Sequence, residues 1–138
     1  MVGLVVATHG RLAEELLLTA EGIVGRLERC EAVSIVAGAS MDEAREHIAQ
    51  AVKRVDQGDG VLVLTDMFGG TPANLALTFL GDKLEVVTGV NLPMIMKLAT
   101  ARGEDVSLHS VAELVTAYGQ KNITLASELL RTRARSRT

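Results

Sequence analysis

Two places in the 138-residue chain set a reactive side chain and glycine just beyond an apolar run. Thr8-His9-Gly10 follows the first run, and Thr65-Asp66-Met67-Phe68-Gly69-Gly70-Thr71-Pro72 follows the third. An imidazole held against a carboxylate is a nucleophile. The ionised carboxylate accepts the proton of one ring nitrogen and leaves the other with an outward lone pair of raised basicity. Gly69 and Gly70 expose backbone N–H groups, and a helix opening at Pro72 adds the positive end of its dipole, so an anion is favoured there. Thr71 supplies a hydroxyl, and Gly10 permits close approach to the ring. Imidazole, orienting carboxylate and anion cradle together describe a centre that takes a phosphoryl group on nitrogen. The same residues also fit a plainer description, with His9 a loop residue and Asp-x-x-Gly-Gly an ordinary turn.

For His9 and Asp66 to meet, the runs that carry them must be neighbouring strands. Apolar runs of strand length alternate with segments of helical period along the whole chain, the pattern of a parallel α/β sheet. Strands are expected over residues 2–7, 33–36, 61–64 and 84–87. Helices are expected over 11–24 with a stripe of Leu12, Leu16, Ala20 and Ile23, and from Ser40 with Glu43 completing a capping box. A further helix runs over 71–79 with Thr71 at the cap, another over 91–101, and one over 107–118 stopped by Gly119. Residues 122–125 read as an antiparallel edge strand. The expected fold is a three-layer, doubly wound α/β domain: four parallel strands plus that edge strand, with helices on both faces. Ligands gather beyond the carboxyl ends of such strands, where His9 and Asp66 stand.

Composition narrows the function. The length suits one domain over 1–128, followed by a basic tail over 129–138 that lacks apolar periodicity and is expected to be disordered. With 14 basic against 17 acidic residues the net charge is -3, and four arginines (Arg131, Arg133, Arg135, Arg137) lie in the tail, leaving 14 − 4 = 10 against 17 elsewhere. An acidic body is no partner for nucleic acid. Three aromatics (Phe68, Phe79, Tyr118) without tryptophan argue against stacked bases or a sugar groove. The single Cys30 forms no internal disulfide and joins no ligand cluster, so a reducing compartment and no metal are expected. No apolar stretch reaches membrane-spanning length, which predicts a soluble, cytoplasmic protein without membrane insertion. His47, paired with Glu43, and His109 read as surface residues; Met41, Met94 and Met96 read as gap-fillers. Neither a G-x-x-x-x-G-K-[ST] loop nor a G-x-G-x-x-G turn is present, so no cofactor is expected. The phosphoryl donor must then be another protein carrying a comparably energetic phosphoramidate.

Three segments in order, Val5-Val6-Ala7-Thr8-His9-Gly10, Leu64-Thr65-Asp66-Met67-Phe68-Gly69-Gly70-Thr71-Pro72-Ala73-Asn74 and Gly89-Val90-Asn91-Leu92-Pro93-Met94, resemble the mannose-family enzyme IIA of the bacterial phosphoenolpyruvate-dependent sugar phosphotransferase system. The resemblance spans residues 1 to about 128. It implies that His9 is phosphorylated on Nε2, that Asp66 hydrogen-bonds its ring, and that Thr71 is the hydroxyl residue near the phosphoryl group. It also implies a histidine-containing phosphocarrier protein as donor, an enzyme IIB as acceptor, and a homodimer that exchanges an edge strand. Some relatives continue through a linker into a IIB domain, whereas this sequence reads as a stand-alone IIA. Within the same chemistry, a regulatory phosphocarrier without a transported sugar and a carrier serving a dihydroxyacetone kinase stay open. A non-catalytic phosphate-ligand-binding α/β module is the alternative of another class. A metal-dependent hydrolase on His9 and Asp66 lacks a third ligand.

Overall fold

Continuous apolar runs become strands here because both of their faces are covered. The computed structural model describes residues 1–103 and 105–136. Its elements in chain order are β1 (Gly3–His9), α1 (Leu12–Val24), β2 (Cys30–Ile35), α2 (Met41–Val55), β3 (Val61–Thr65), α3 (Thr71–Leu77), β4 (Leu84–Thr88), α4 (Leu92–Ala101), α5 (Leu108–Lys121) and α6 (Ala126–Ser136). The four strands are parallel in the order β2-β1-β3-β4. Leu4, Val6, Leu62 and Leu64 pack on one face against α1, α4 and α5. Val5, Ala7, Val61 and Val63 pack on the other against α2 and α3. That alternation builds the three expected layers, and β1 and β3, wholly buried but for the tip of β1, form the centre.

Caps fix several helix starts as read. The Ser40 hydroxyl accepts from the Glu43 N–H at 3.4 Å, and the Asn91 side chain accepts from the Met94 N–H at 3.1 Å. Thr71, by contrast, is the first helical residue of α3 and Gly70 takes the cap position. The stripe of α1 is Ala13, Leu17 and Ala20, with Leu12 and Ile23 exposed. The helix is apolar on most sides, so its period is ambiguous; the buried Thr8 hydroxyl settles the phase by accepting from the Ala13 N–H at 2.7 Å. At the opposite end of the sheet, buried Arg102 donates to four carbonyls, those of Leu98, Val2, Arg29 and Glu28, at 3.3, 3.0, 3.4 and 2.8 Å. One guanidinium thereby ties α4 to the start of β1 and the approach to β2.

The carboxyl-terminal region departs from expectation. Gly119 does not stop α5 but lies inside it, buried so closely against Met94 of α4 that a Cβ there would stand 2.6 Å from its Cγ and Sδ. The helix therefore reaches Lys121, and the residues over 122–125 form a turn and linker rather than an edge strand. Residues 129–136, expected to be disordered, belong to α6, which buries none of its residues. No Gly or Pro interrupts 123–136, Glu128 sits in the first turn and Arg133 and Arg135 in the last, all favourable to a helix. Arg137 and Thr138 of the expected tail lie outside the described residues.

Candidate functional site

The chain passes from β1 to β2 on one side and then returns to place β3 on the other. The β1/β3 junction is thus the point where strand order reverses, and crevices for ligands form beyond the carboxyl ends of strands at such a point. Ala7 pairs with Thr65, so His9, the last residue of β1, and Asp66, which follows β3, emerge side by side.

The two side chains touch. Asp66 Oδ2 lies 2.8 Å from His9 Nδ1 and accepts the His9 backbone N–H at 3.1 Å, while Oδ1 accepts the Met67 N–H at 3.1 Å. Burial pushes the Asp66 carboxyl up, but the His9 ring bond, the His9 backbone N–H and the His9 charge outweigh it and hold the carboxyl below its ordinary value. Asp66 is therefore an ionised, acceptor-only group, and Nδ1 must carry the proton. The lone pair is left on Nε2. The His9 side chain is 48% exposed against 16% for Asp66, which suits a buried orienter and an accessible nucleophile.

Gly70 has a steric task that sequence reasoning missed. A Cβ at this position would come within 2.6 Å of His9 Cε1, 3.3 Å of Nε2 and 3.2 Å of Met67 Cγ, so only glycine lets the loop close against the ring. Gly10 and Gly69 adopt positive φ, +56° and +85°, where a side chain would be strained. The Gly10 N–H is engaged by the Ile35 carbonyl at 2.9 Å, and the Gly70 N–H reaches the Met67 carbonyl at 3.5 Å. Thr71 shares with His9 and Gly10 a cavity of about 330 Å³, also lined by Val36 and Met41. Asn74, to which the sequence assigned no task, braces the loop by donating to the Gly69 carbonyl at 3.4 Å. Thr8 likewise escaped notice; its place five residues before the first buried residue of α1 was the available signal.

The remaining features lie elsewhere. His109 is more than a bland surface residue: its Nδ1 stands 3.0 Å from Glu85 Oε1 at the start of β4 and its Nε2 bonds Glu113. The Glu85 hydrogen bond, with the Glu113 charge beside it, raises the ring's pKa. A larger polar cleft of about 630 Å³, lined by residues such as Glu21, Arg26 and Arg54, opens near Cys30 at the far end of β2, away from His9. Among the described residues no cluster of three or more His, Cys, Asp or Glu side chains could hold a metal, and no helix is long and apolar enough to cross a membrane.

Residues 3–116 match the EIIA-man family model, described as PTS system fructose IIA component. The chain is 34% identical over 124 residues to the PTS system mannose-specific EIIAB component of Escherichia coli K12, covering 88% of this chain and 38% of that protein. Among solved structures it is similar to the mannose/sorbose-specific IIA subunit of the phosphotransferase system from Enterococcus faecalis, with a TM-score of 0.80, 34% identity and coverage of 89% of this chain and 92% of that one. The phosphotransferase system component EIIA from Streptococcus agalactiae superposes with a TM-score of 0.82 at 26% identity, covering 93% and 99% of the two chains.

Proposed function

The chain belongs to the EIIA-man family of phosphotransferase-system IIA components, and from that membership we propose that it relays a phosphoryl group between proteins on Nε2 of His9. The lone pair of Nε2 attacks phosphorus in line. The nitrogen–phosphorus bond of the donor breaks as the new one forms, and its electron pair returns to the donor's ring. Positive charge develops on the His9 imidazole during this exchange, and the Asp66 carboxylate at 2.8 Å stabilises it while Nδ1 keeps its proton. Discharge is the same displacement with the acceptor's nucleophile attacking. The donor is a histidine-containing phosphocarrier protein and the acceptor an enzyme IIB. Thr71 and the N–H groups of the Gly69-Gly70 loop hold the phosphoryl oxygens, and Gly10 leaves them room.

One observation carries the reading: the Nδ1–Asp66 contact leaves Nε2 as the free nitrogen at the open end of the sheet. A homodimer completes the proposal, supported by the unpaired edge of β4 and by Ile123 and Leu125, both exposed beside the end of α5. Incubation with phosphoenolpyruvate, enzyme I and the phosphocarrier protein should add one acid-labile phosphoryl group by intact mass. His9→Ala should take none. A group that survives acid, or one that appears in His9→Ala, refutes the relay.

A further inference from the structure

We infer that Phe68, next in the chain to Met67, whose side chain meets Gly70 beside the His9 ring, is the docking anchor for the protein that delivers the phosphoryl group to His9. The inference rests on the relay reading above. It makes Phe68 a positioning residue that acts through its grip on the partner.

Phe68 is 77% exposed, although the chain has only three aromatic residues. The other two are covered on one face, Phe79 by the Arg45 guanidinium at 4.5 Å and Tyr118 by the Lys97 ammonium at 5.0 Å. Phe68 belongs to neither apolar core cluster of the fold. Its place is specific: it lies between Asp66, which orients the imidazole, and Gly70, which packs on it. Met67 faces the same Gly70 as the His9 ring, and Val36 and Met41 line the His9 cavity from the β2–α2 side. All four of these apolar side chains are exposed. Exposed apolar side chains thus stand close to the reactive ring, Met67 against Gly70 and Val36 and Met41 along the cavity.

The occupant follows from the reaction. Phosphorus must come within bonding distance of Nε2, so a protein donor has to cover the exposed side chains beside the ring while it delivers. The partner this rim fits carries an apolar patch around its own phosphohistidine. Aromatic side chains are the usual energetic centres of such contacts, and apolar neighbours exclude water around them. The two methionines suit a rim that must also accept a differently shaped protein for discharge, since their unbranched thioethers repack readily. A small phosphoramidate needs only the cavity of about 330 Å³, which Phe68 does not line.

That difference supplies the test. Phosphorylation of His9 is followed with two donors, the phosphorylated phosphocarrier protein and free phosphoramidate, in wild type, Phe68→Ala, Phe68→Trp and Ile23→Ala. Ile23 is exposed at the carboxyl end of α1, remote from the site. For the protein donor, Phe68→Ala should lose at least about tenfold in kcat/KM, expressed in KM with kcat within about twofold. Its reaction with phosphoramidate should match wild type, Phe68→Trp should restore KM, and Ile23→Ala should alter neither donor's kinetics. An unchanged KM in Phe68→Ala overturns the anchor and leaves the relay standing. Equal slowing with both donors also overturns it, because Phe68 would then act on the His9 geometry itself. If wild type accepts phosphorus from neither donor, the relay falls and the anchor with it.

Discussion

Replacing Asp66 by asparagine keeps the shape of the side chain and reverses its chemistry. Asp66 Oδ2 accepts from His9 Nδ1 at 2.8 Å and from the His9 backbone at 3.1 Å, while Oδ1 accepts from Met67 at 3.1 Å. An amide has a single oxygen. If that oxygen stays on the Met67 N–H, the NH2 takes the place of Oδ2, leaves the His9 N–H without its acceptor and faces Nδ1, where it selects the tautomer with the proton on Nε2 and removes the attacking lone pair. Two magnitudes follow. Asp66→Ala removes the charge-assisted ring bond along with the two backbone bonds; for the ring bond, because His9 is 48% exposed, the lower figure of about 1.5 kcal/mol applies, or roughly a tenfold loss of transfer rate. Asp66→Asn adds the tautomer error and should lose on the order of 10³-fold or more, as such errors do in other imidazole-dependent sites. Rapid-quench measurement of acid-labile phosphoryl uptake from a saturating donor gives both rates, and nitrogen NMR of the His9 ring reports the tautomer. Circular dichroism confirms that both variants fold. If Asp66→Asn transfers as fast as Asp66→Ala, Asp66 does not select the tautomer; if both match wild type, it has no part in transfer.

Other perturbations separate the site from its scaffold. Gly70→Ala needs no backbone change, because Gly70 has φ of -79°, yet its methyl would press on His9 Cε1; a displaced ring should cost on the order of 10²-fold in transfer while the urea midpoint stays near wild type. Arg102→Met should show the opposite pattern: four carbonyls lose their donor, stability falls by about 3 kcal/mol in urea unfolding, and His9 still phosphorylates at the wild-type rate in native buffer. For His109, whose folded-state pKa is raised, the stabilisation is complete below the ordinary histidine value and disappears as pH rises through the folded value. Proton NMR titration should accordingly find a lower His109 pKa in Glu85→Gln than in wild type, and an identical titration would exclude the Glu85 contact in solution.

The reactive pair was legible because its signals are local and of different kinds. A continuous apolar run predicts a strand buried on both faces, and a residue just beyond it must emerge at the sheet rim; His9 and Asp66 needed only adjacent strands to meet. What escaped the sequence depends on neighbours distant in the chain. Gly70 reads as an exposed N–H, but its necessity comes from the His9 ring sixty-one positions earlier. Gly119 reads as a helix stop, and Met94 of another helix turns it into a packing contact. The phase of α1 was hidden because Leu12, Leu16, Leu17 and Ile23 offer several apolar stripes, and a buried threonine outside the helix decides among them.

His9 at the end of β1 and Asp66 just beyond β3 hang from the two innermost strands, whose backbone amides should be the last to exchange with solvent in a sheet that opens from its edges. Fraying of β2, β4 or α6 should therefore leave the strands that carry the pair in place. Amide exchange of β1 and β3 measured alongside phosphoryl uptake in denaturant should show chemical competence and the sheet's centre vanish together.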